Sequence, residues 1–114
     1  MSNSKRNLAQ VRVAQAPVFA ALGDKTRLSL VAKLCEGFPQ SISQLTEGSS
    51  ITRQAITKHL QTLESAGIVR GVRSGREKLF EFVPEPIDEV RSYLESVSAQ
   101  WDRALLRLKS LVEE

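Results

Sequence analysis

Residues 51–67 read ITRQAITKHLQTLESAG, and the spacing within them decides the fold. Ile56, Leu60 and Leu63 fall at i, i+4 and i+7, with Ala55 and Ala66 beside them. That is one buried stripe of a helix. The opposite face carries Arg53, Gln54, Thr57, Lys58 and Gln61. All five offer hydrogen-bond donors and none is acidic. A helix that enters the major groove needs this division: one face packed, the other positive and rich in amides and hydroxyls. Gly67 is expected to end the helix, because the left-handed residue after a last turn is least strained as glycine.

Upstream, Asn7 to Leu22 has helical spacing through Leu8, Val11, Val18, Phe19 and Leu22, and Pro17 predicts a kink or break near Ala16. Asp24 is placed to cap a helix over about residues 25–36. There the expected buried stripe is Leu28, Val31, Ala32 and Cys35, widened by Leu30 and Leu34. Gly37-Phe38-Pro39 stops that helix. Ser41 followed by Gln44 has the spacing of a capping box, which predicts a short helix anchored by Ile42 and Leu45. Gly48-Ser49-Ser50 makes the turn into the 51–67 helix. A short helix, a turn containing glycine and a second helix with a polar outer face form a helix-turn-helix, over about residues 41–67.

After Gly67 the period changes. Ile68, Val69 and Val72 suggest a strand, Ser74-Gly75 a turn, and Glu77 to Val83 a second strand. A hairpin there is a wing, over about residues 68–83. Arg73 and Arg76 flank its tip, with Arg70 and Lys78 nearby. Arginines so placed suit a narrow minor groove or adjacent phosphates, although a basic hairpin tip alone means only solubility. Pro84 and Pro86 then punctuate the chain. A long helix over about 87–112 carries Ile87, Val90, Leu94, Val97, Trp101, Leu105, Leu108 and Val112 at steps of three and four. That seam has the width of a helix–helix contact. We expect the 87–112 helix to pack against the 7–22 helix and against the same elements of a second copy; packing within one chain alone is the alternative. Leu8, Val11, Val90, Leu94, Val97, Trp101, Leu105 and Leu108 are the expected dimer contacts.

The 114 residues suit one domain, and 41% hydrophobic with 25% charged residues implies a folded chain. The expected fold is mostly α with a small β-hairpin, a winged helix-turn-helix in the order α-α-α-α-β-β-α over 1–114. Net charge is +3, unevenly spread. Residues 1–83 hold 12 Lys+Arg against 6 Asp+Glu, and residues 84–114 hold 4 against 7. A basic body suits a polyanion partner, although an ordinary solvated surface shows such asymmetry too. The first residues, MSNSKRNLAQ, contain no apolar run, and no segment approaches the ~20 apolar residues of a membrane span. One cysteine allows no internal disulfide. We therefore expect a cytoplasmic protein with no membrane association.

Three segments also resemble one family. FAALGDKTRLSLVAKL (19–34) resembles the N-terminal signature of ArsR-type winged-helix repressors. SITRQAITKHLQTLESAGIV (50–69) is similar to their recognition helix and its exit, and GREKLFEF (75–82) to their wing. The last helix, with WDRALLRLKSLVEE, resembles a subgroup more loosely. The resemblance implies a homodimeric transcriptional regulator, usually a repressor, on a palindromic operator in double-stranded DNA. By position, Thr52, Arg53, Gln54, Thr57, Lys58 and His59 correspond to the groove-facing helix, and Arg73 and Arg76 to the wing. Thr52 and Lys58 would grip phosphate; Arg53, Gln54 and Thr57 would meet base edges. Ser41 and Gln44 could also touch phosphate, although capping explains them equally.

Many members of that family sense metal through paired cysteines near the helix-turn-helix, or through Asp, His and Glu on the last helix. Here residues 41–48 hold no Cys or His, and the last helix has Asp88, Glu89, Glu95 and Asp102 but no His. Soft and borderline metals require thiolate or imidazole. No metal site and no cofactor are expected, and Cys35 reads as a buried small hydrophobe. His59, the only histidine, reads as a packing or phosphate-contacting residue, and Trp101 as core or dimer filler. No catalytic residues are expected, because nothing lies at triad spacing and no phosphate-binding glycine loop is present. The alternatives are a winged helix that binds protein, which would show apolar or acidic residues on the outer face of 51–67, and a metal-sensing repressor with an unrecognised site.

Overall fold

The computed structural model describes the backbone of residues 8–113 and the side-chain surroundings of residues 14–113. Helix α1 spans Leu8–Leu22 and runs through Pro17 without the expected break. The proline forfeits one main-chain hydrogen bond. Burial of Gln15, Val18 and Ala21 on either side holds the helical path. The expected contacts Leu8 and Val11 lie outside the residues whose side chains are described.

Asp24 caps α2 (Lys25–Leu34), accepting from the Arg27 main-chain N–H at 3.0 Å. The buried stripe of α2 differs from the expected one. Leu30 and Leu34 enter the core and Val31 packs against it, while Leu28 is 52% exposed and Cys35 is exposed. Both Leu28/Val31/Cys35 and Leu30/Leu34 satisfy helical spacing, so periodicity alone could not choose the phase. Contacts with α4 and the sheet choose the leucines. Cys35 stands outside because it is the C-cap, where the chain leaves the helix.

Between α2 and the next helix lies a strand that no periodicity announced. β1 is only Gln40–Ser41 and pairs antiparallel with β3, Gln40 opposite Phe80 and Ser41 opposite Leu79. Ser41 both ends this strand and caps α3 (Ile42–Thr46). The Gln44 N–H donates to Ser41 Oγ at 3.1 Å, and the Ser41 N–H donates to Gln44 Oε1 at 2.8 Å. Both halves of the expected capping box are therefore formed.

Thr52 caps α4 (Arg53–Ser65), its Oγ1 accepting from the Ala55 N–H at 3.1 Å. Ile56, Leu60 and Leu63 are buried, as their spacing requires. At the other end Gly67 adopts φ 78°, the Ile68 N–H reaches Leu63 O and the Gly67 N–H reaches Glu64 O, both at 3.0 Å. This is a Schellman motif, and it turns the chain from α4 directly into the hairpin.

Strands β2 (Val69–Ser74) and β3 (Glu77–Phe82) pair antiparallel with Ser74 opposite Glu77. The loop is thus Gly75-Arg76. Gly75 has φ 63°, and no other residue type in the described chain has positive φ, which matches a primed turn with glycine first. The sheet order is β1-β3-β2. Helix α5 spans Pro84–Glu113, so Pro84 and Pro86 lie inside its first turn instead of before it. N–H groups there have no intrahelical partner to lose.

One cluster forms the core: Val18, Ala21, Leu30, Leu34, Leu45, Ile56, Leu60, Leu63, Ile68, Val69, Phe80 and Val90. The result is a mostly helical winged helix-turn-helix with a three-stranded sheet.

Candidate nucleic-acid interface

Burial of Ile56, Leu60 and Leu63 fixes which side of α4 faces out. On that side Arg53, Gln54, Thr57, Lys58 and Gln61 line one shallow surface depression. All are exposed except Thr57, which is half-buried. No carboxylate lines the depression. Arg53 Nη1 donates to Ser43 Oγ at 2.8 Å, which steadies the guanidinium against the preceding helix. Thr57 Oγ1 donates to Arg53 O at 2.8 Å. Thr52 is exposed at the helix start. Its oxygen is engaged as the cap, and its hydroxyl hydrogen remains a donor.

His59 is placed differently from its neighbours in sequence. Its Nδ1 lies 3.2 Å from Arg27 Nη1 and 3.9 Å from Asp24 Oδ2. The side chain is 24% exposed, turned toward the α1–α2 corner. It does not line the depression that holds Arg53, Gln54, Thr57 and Lys58. The Arg27 main-chain N–H, partly opposed by desolvation, holds the Asp24 carboxyl below the usual carboxylate range, and the charges of Arg27 and His59 add to this.

At the wing, Arg73 and Arg76 are both exposed, and Arg73 Nη1 donates to Arg76 O at 3.5 Å. Neither has a carboxylate partner among the described residues. The two other bases of the hairpin do. Arg70 Nε meets Glu81 Oε1 at 2.9 Å, and Lys78 Nζ lies 3.9 Å from Glu64 Oε1 and 5.1 Å from the Phe80 ring centre. The hairpin thus neutralises its sheet face and leaves its tip cationic.

The expected seam of α5 divides in two. Val90 is taken into the chain's own core, and the Tyr93 ring meets Phe19 edge-on at 6.0 Å. Beyond that point the apolar residues are uncovered: Leu94 is 49% exposed, Trp101 65%, and Val97, Leu105 and Leu108 are exposed as well. Among the described residues no group of three or more His, Cys, Asp or Glu could hold a metal ion, and no helix is long and apolar enough to cross a membrane. Sequence reasoning missed Arg27 and Ser43. Each matters through a contact, with His59 and Arg53 respectively, that local spacing does not encode.

Comparison with known proteins gives consistent matches. The helix-turn-helix domain family matches residues 22–72. The uncharacterized HTH-type transcriptional regulator YuzN of Bacillus subtilis is 41% identical over 76 residues, which cover 61% of this chain and 83% of that protein. The HTH-type transcriptional repressor SmtB of Mycobacterium tuberculosis is 31% identical over 67 residues, covering 59% of this chain and 49% of that protein. Among solved structures, an ArsR-like transcriptional regulator from Rhodococcus sp. RHA1 superposes with a TM-score of 0.79 at 35% identity, covering 90% of this chain and 95% of that one.

Proposed function

The chain belongs to the ArsR-type helix-turn-helix transcriptional regulators, and we propose that it acts as a homodimeric repressor on a palindromic operator. The observation that carries this reading is the α4 outer row, five donor side chains without a carboxylate, set opposite a fully buried apolar row. Such a cylinder can enter the major groove and meet both base edges and phosphates. Arg53 can fork onto guanine, Gln54 can pair with adenine, and Thr57 can meet polar or methyl groups. Thr52 and Lys58 grip phosphate. Arg73 and Arg76 reach the neighbouring backbone or minor groove.

Dimerisation rests on α5. An apolar row of Leu94, Val97, Trp101, Leu105 and Leu108 left in water is costly, and a second copy related by two-fold symmetry covers it with itself. Two reading helices would then lie about 34–36 Å apart, one DNA turn. Repression follows from occupancy of the operator, the action named for the SmtB relative. The reading places the protein in the cytoplasm, with its DNA.

The test is site selection from a random duplex library, with the purified chain and with Arg53→Ala. We expect a symmetric motif, and for the variant relaxed preference at one position per half-site at a cost of ~1–3 kcal/mol. An unchanged motif in the variant would remove Arg53 from the base-reading set.

A further inference from the structure

Arg27 joins three elements at one corner. Its Nε donates to Ala21 O at 2.6 Å and its Nη2 to Ala20 O at 3.3 Å. Those carbonyls belong to the last turn of α1, where intrahelical N–H groups run out; Ala20 O also accepts from the Gly23 main-chain N–H at 3.2 Å, and a cation there suits the helix dipole. Nη1 points the other way and meets His59 Nδ1 on α4 at 3.2 Å. One guanidinium therefore bridges the end of the α1 helix and the middle of the reading helix.

We propose that Arg27 is a positioning residue for DNA recognition: through His59 it sets the placement of α4 against α1, and the tether holds only while the His59 Nδ1 is unprotonated. This rests on the DNA-binding reading above. A guanidinium has five donors and no acceptor, so its contact with Nδ1 requires a bare nitrogen and places the imidazole proton on Nε2. Protonation at Nδ1 would set an imidazolium against a guanidinium and turn the new N–H toward Asp24 Oδ2, 3.9 Å away. The ring thus has two partners, and its proton count selects between them. From α2 the charged groups facing the ring are Arg27 and Asp24. Residues 14–22 of α1 hold no titratable side chain and present main-chain carbonyls to Arg27, and on α4 the adjacent Lys58 points to the outer face. An operator read by two helices at a fixed separation is sensitive to the angle at which each is held.

His59 is the only histidine in the chain, so its spectrum and its pH response are free of overlap with another. The experiment measures affinity for a selected duplex from about pH 8 down to about pH 6, the window in which histidine is the side chain that ordinarily changes charge. Wild type is compared with His59→Asn, whose amide oxygen can receive Arg27 but takes no proton, and with Arg27→Lys, whose three donors sit on one nitrogen and cannot span the α1 carbonyls on one side and His59 on the other. Wild type should lose about two- to tenfold in affinity on acidification, the worth of one hydrogen bond. H59N should keep the high-pH affinity and lose the pH dependence. R27K should start about two- to tenfold weaker, with a flattened profile. An H59N profile that follows wild type, or an R27K protein identical to wild type, overturns the proposal. Nitrogen-15 spectra of the wild-type imidazole at about pH 8 provide a readout that needs neither DNA nor a variant. They should show Nδ1 bare, and a protonated Nδ1 there overturns the tether. Failure of wild type to bind any selected duplex would overturn the DNA-binding reading itself, and the imidazole spectrum would then decide the tether alone.

Discussion

The hairpin carries two kinds of arginine, and salt should tell them apart. Arg76 stands at the tip with no carboxylate partner among the described residues, whereas Arg70 is held by Glu81 at 2.9 Å. A side chain that neutralises a DNA phosphate releases counterions, which adds about 0.9 to the slope of log affinity against log salt for each contact. A symmetric dimer has two wings, so Arg76→Ala should reduce the slope by about 1.8. Between about 50 and 200 mM salt a slope difference of that size is about twelvefold in affinity, so the deficit of the variant should shrink by that factor over the interval. Arg70→Ala removes a charge already balanced by Glu81 and should leave the slope at its wild-type value. The assay is fluorescence anisotropy on one labelled duplex at four or more salt concentrations. Equal slope changes for the two variants, or an Arg76→Ala slope equal to that of wild type, would refute the distinction between tip and sheet arginines.

Other expectations follow from local geometry. Gly67→Ala should lower stability by about 1–2 kcal/mol in urea unfolding, because the left-handed backbone opposes a Cβ. The added atom itself meets only Pro86 Cγ at 3.6 Å, an ordinary contact, so a larger loss would mean that strain is not the cause. Leu94→Glu should split the dimer in sedimentation experiments while leaving the monomer folded, since Leu94 is half exposed in the single chain; a fully dimeric variant would reject the α5 seam. The Asp24 carboxyl is held below the usual range, chiefly by the Arg27 main-chain N–H. A depressed carboxylate stabilises the fold above its unfolded pKa and loses that effect as pH falls through the folded value. Asp24→Asn, which keeps a cap acceptor but cannot titrate, should therefore approach wild-type stability as the medium is acidified. A constant gap at all pH values would count against this.

What the sequence revealed depended on how strongly each segment is patterned. The α4 helix is legible because a buried row, Ile56, Leu60 and Leu63, lies opposite a donor row from Arg53 to Gln61, and the hairpin because Gly75 separates a branched run from an aromatic one. The strand β1 was not legible, since two residues have no period and their pairing with Phe80 and Leu79 is set 38 or more positions away. The phase of α2 was ambiguous on its own, and only the leucines of α4 and the sheet above it select Leu30 and Leu34, leaving Cys35 outside. Pro84 and Pro86 look like punctuation in the sequence, yet they open α5, because a helix start tolerates proline better than its middle does. The packing reading of His59 is available from its flank position, but its partner is hidden, because Arg27 lies 32 positions upstream. Tertiary contact, not local composition, sets it against Arg27 and Asp24.

In the proposed complex the outer face of α4, offered twice, reads the major groove. Methylation interference tests it most directly, because guanine N7 lies in that groove and is modified without altering the minor-groove edge. N7 methylation should block binding at two clusters, one in each half-site, about 10 base pairs apart on one face of the duplex. Binding unaffected by N7 methylation, or blocked only by minor-groove modification, would contradict it.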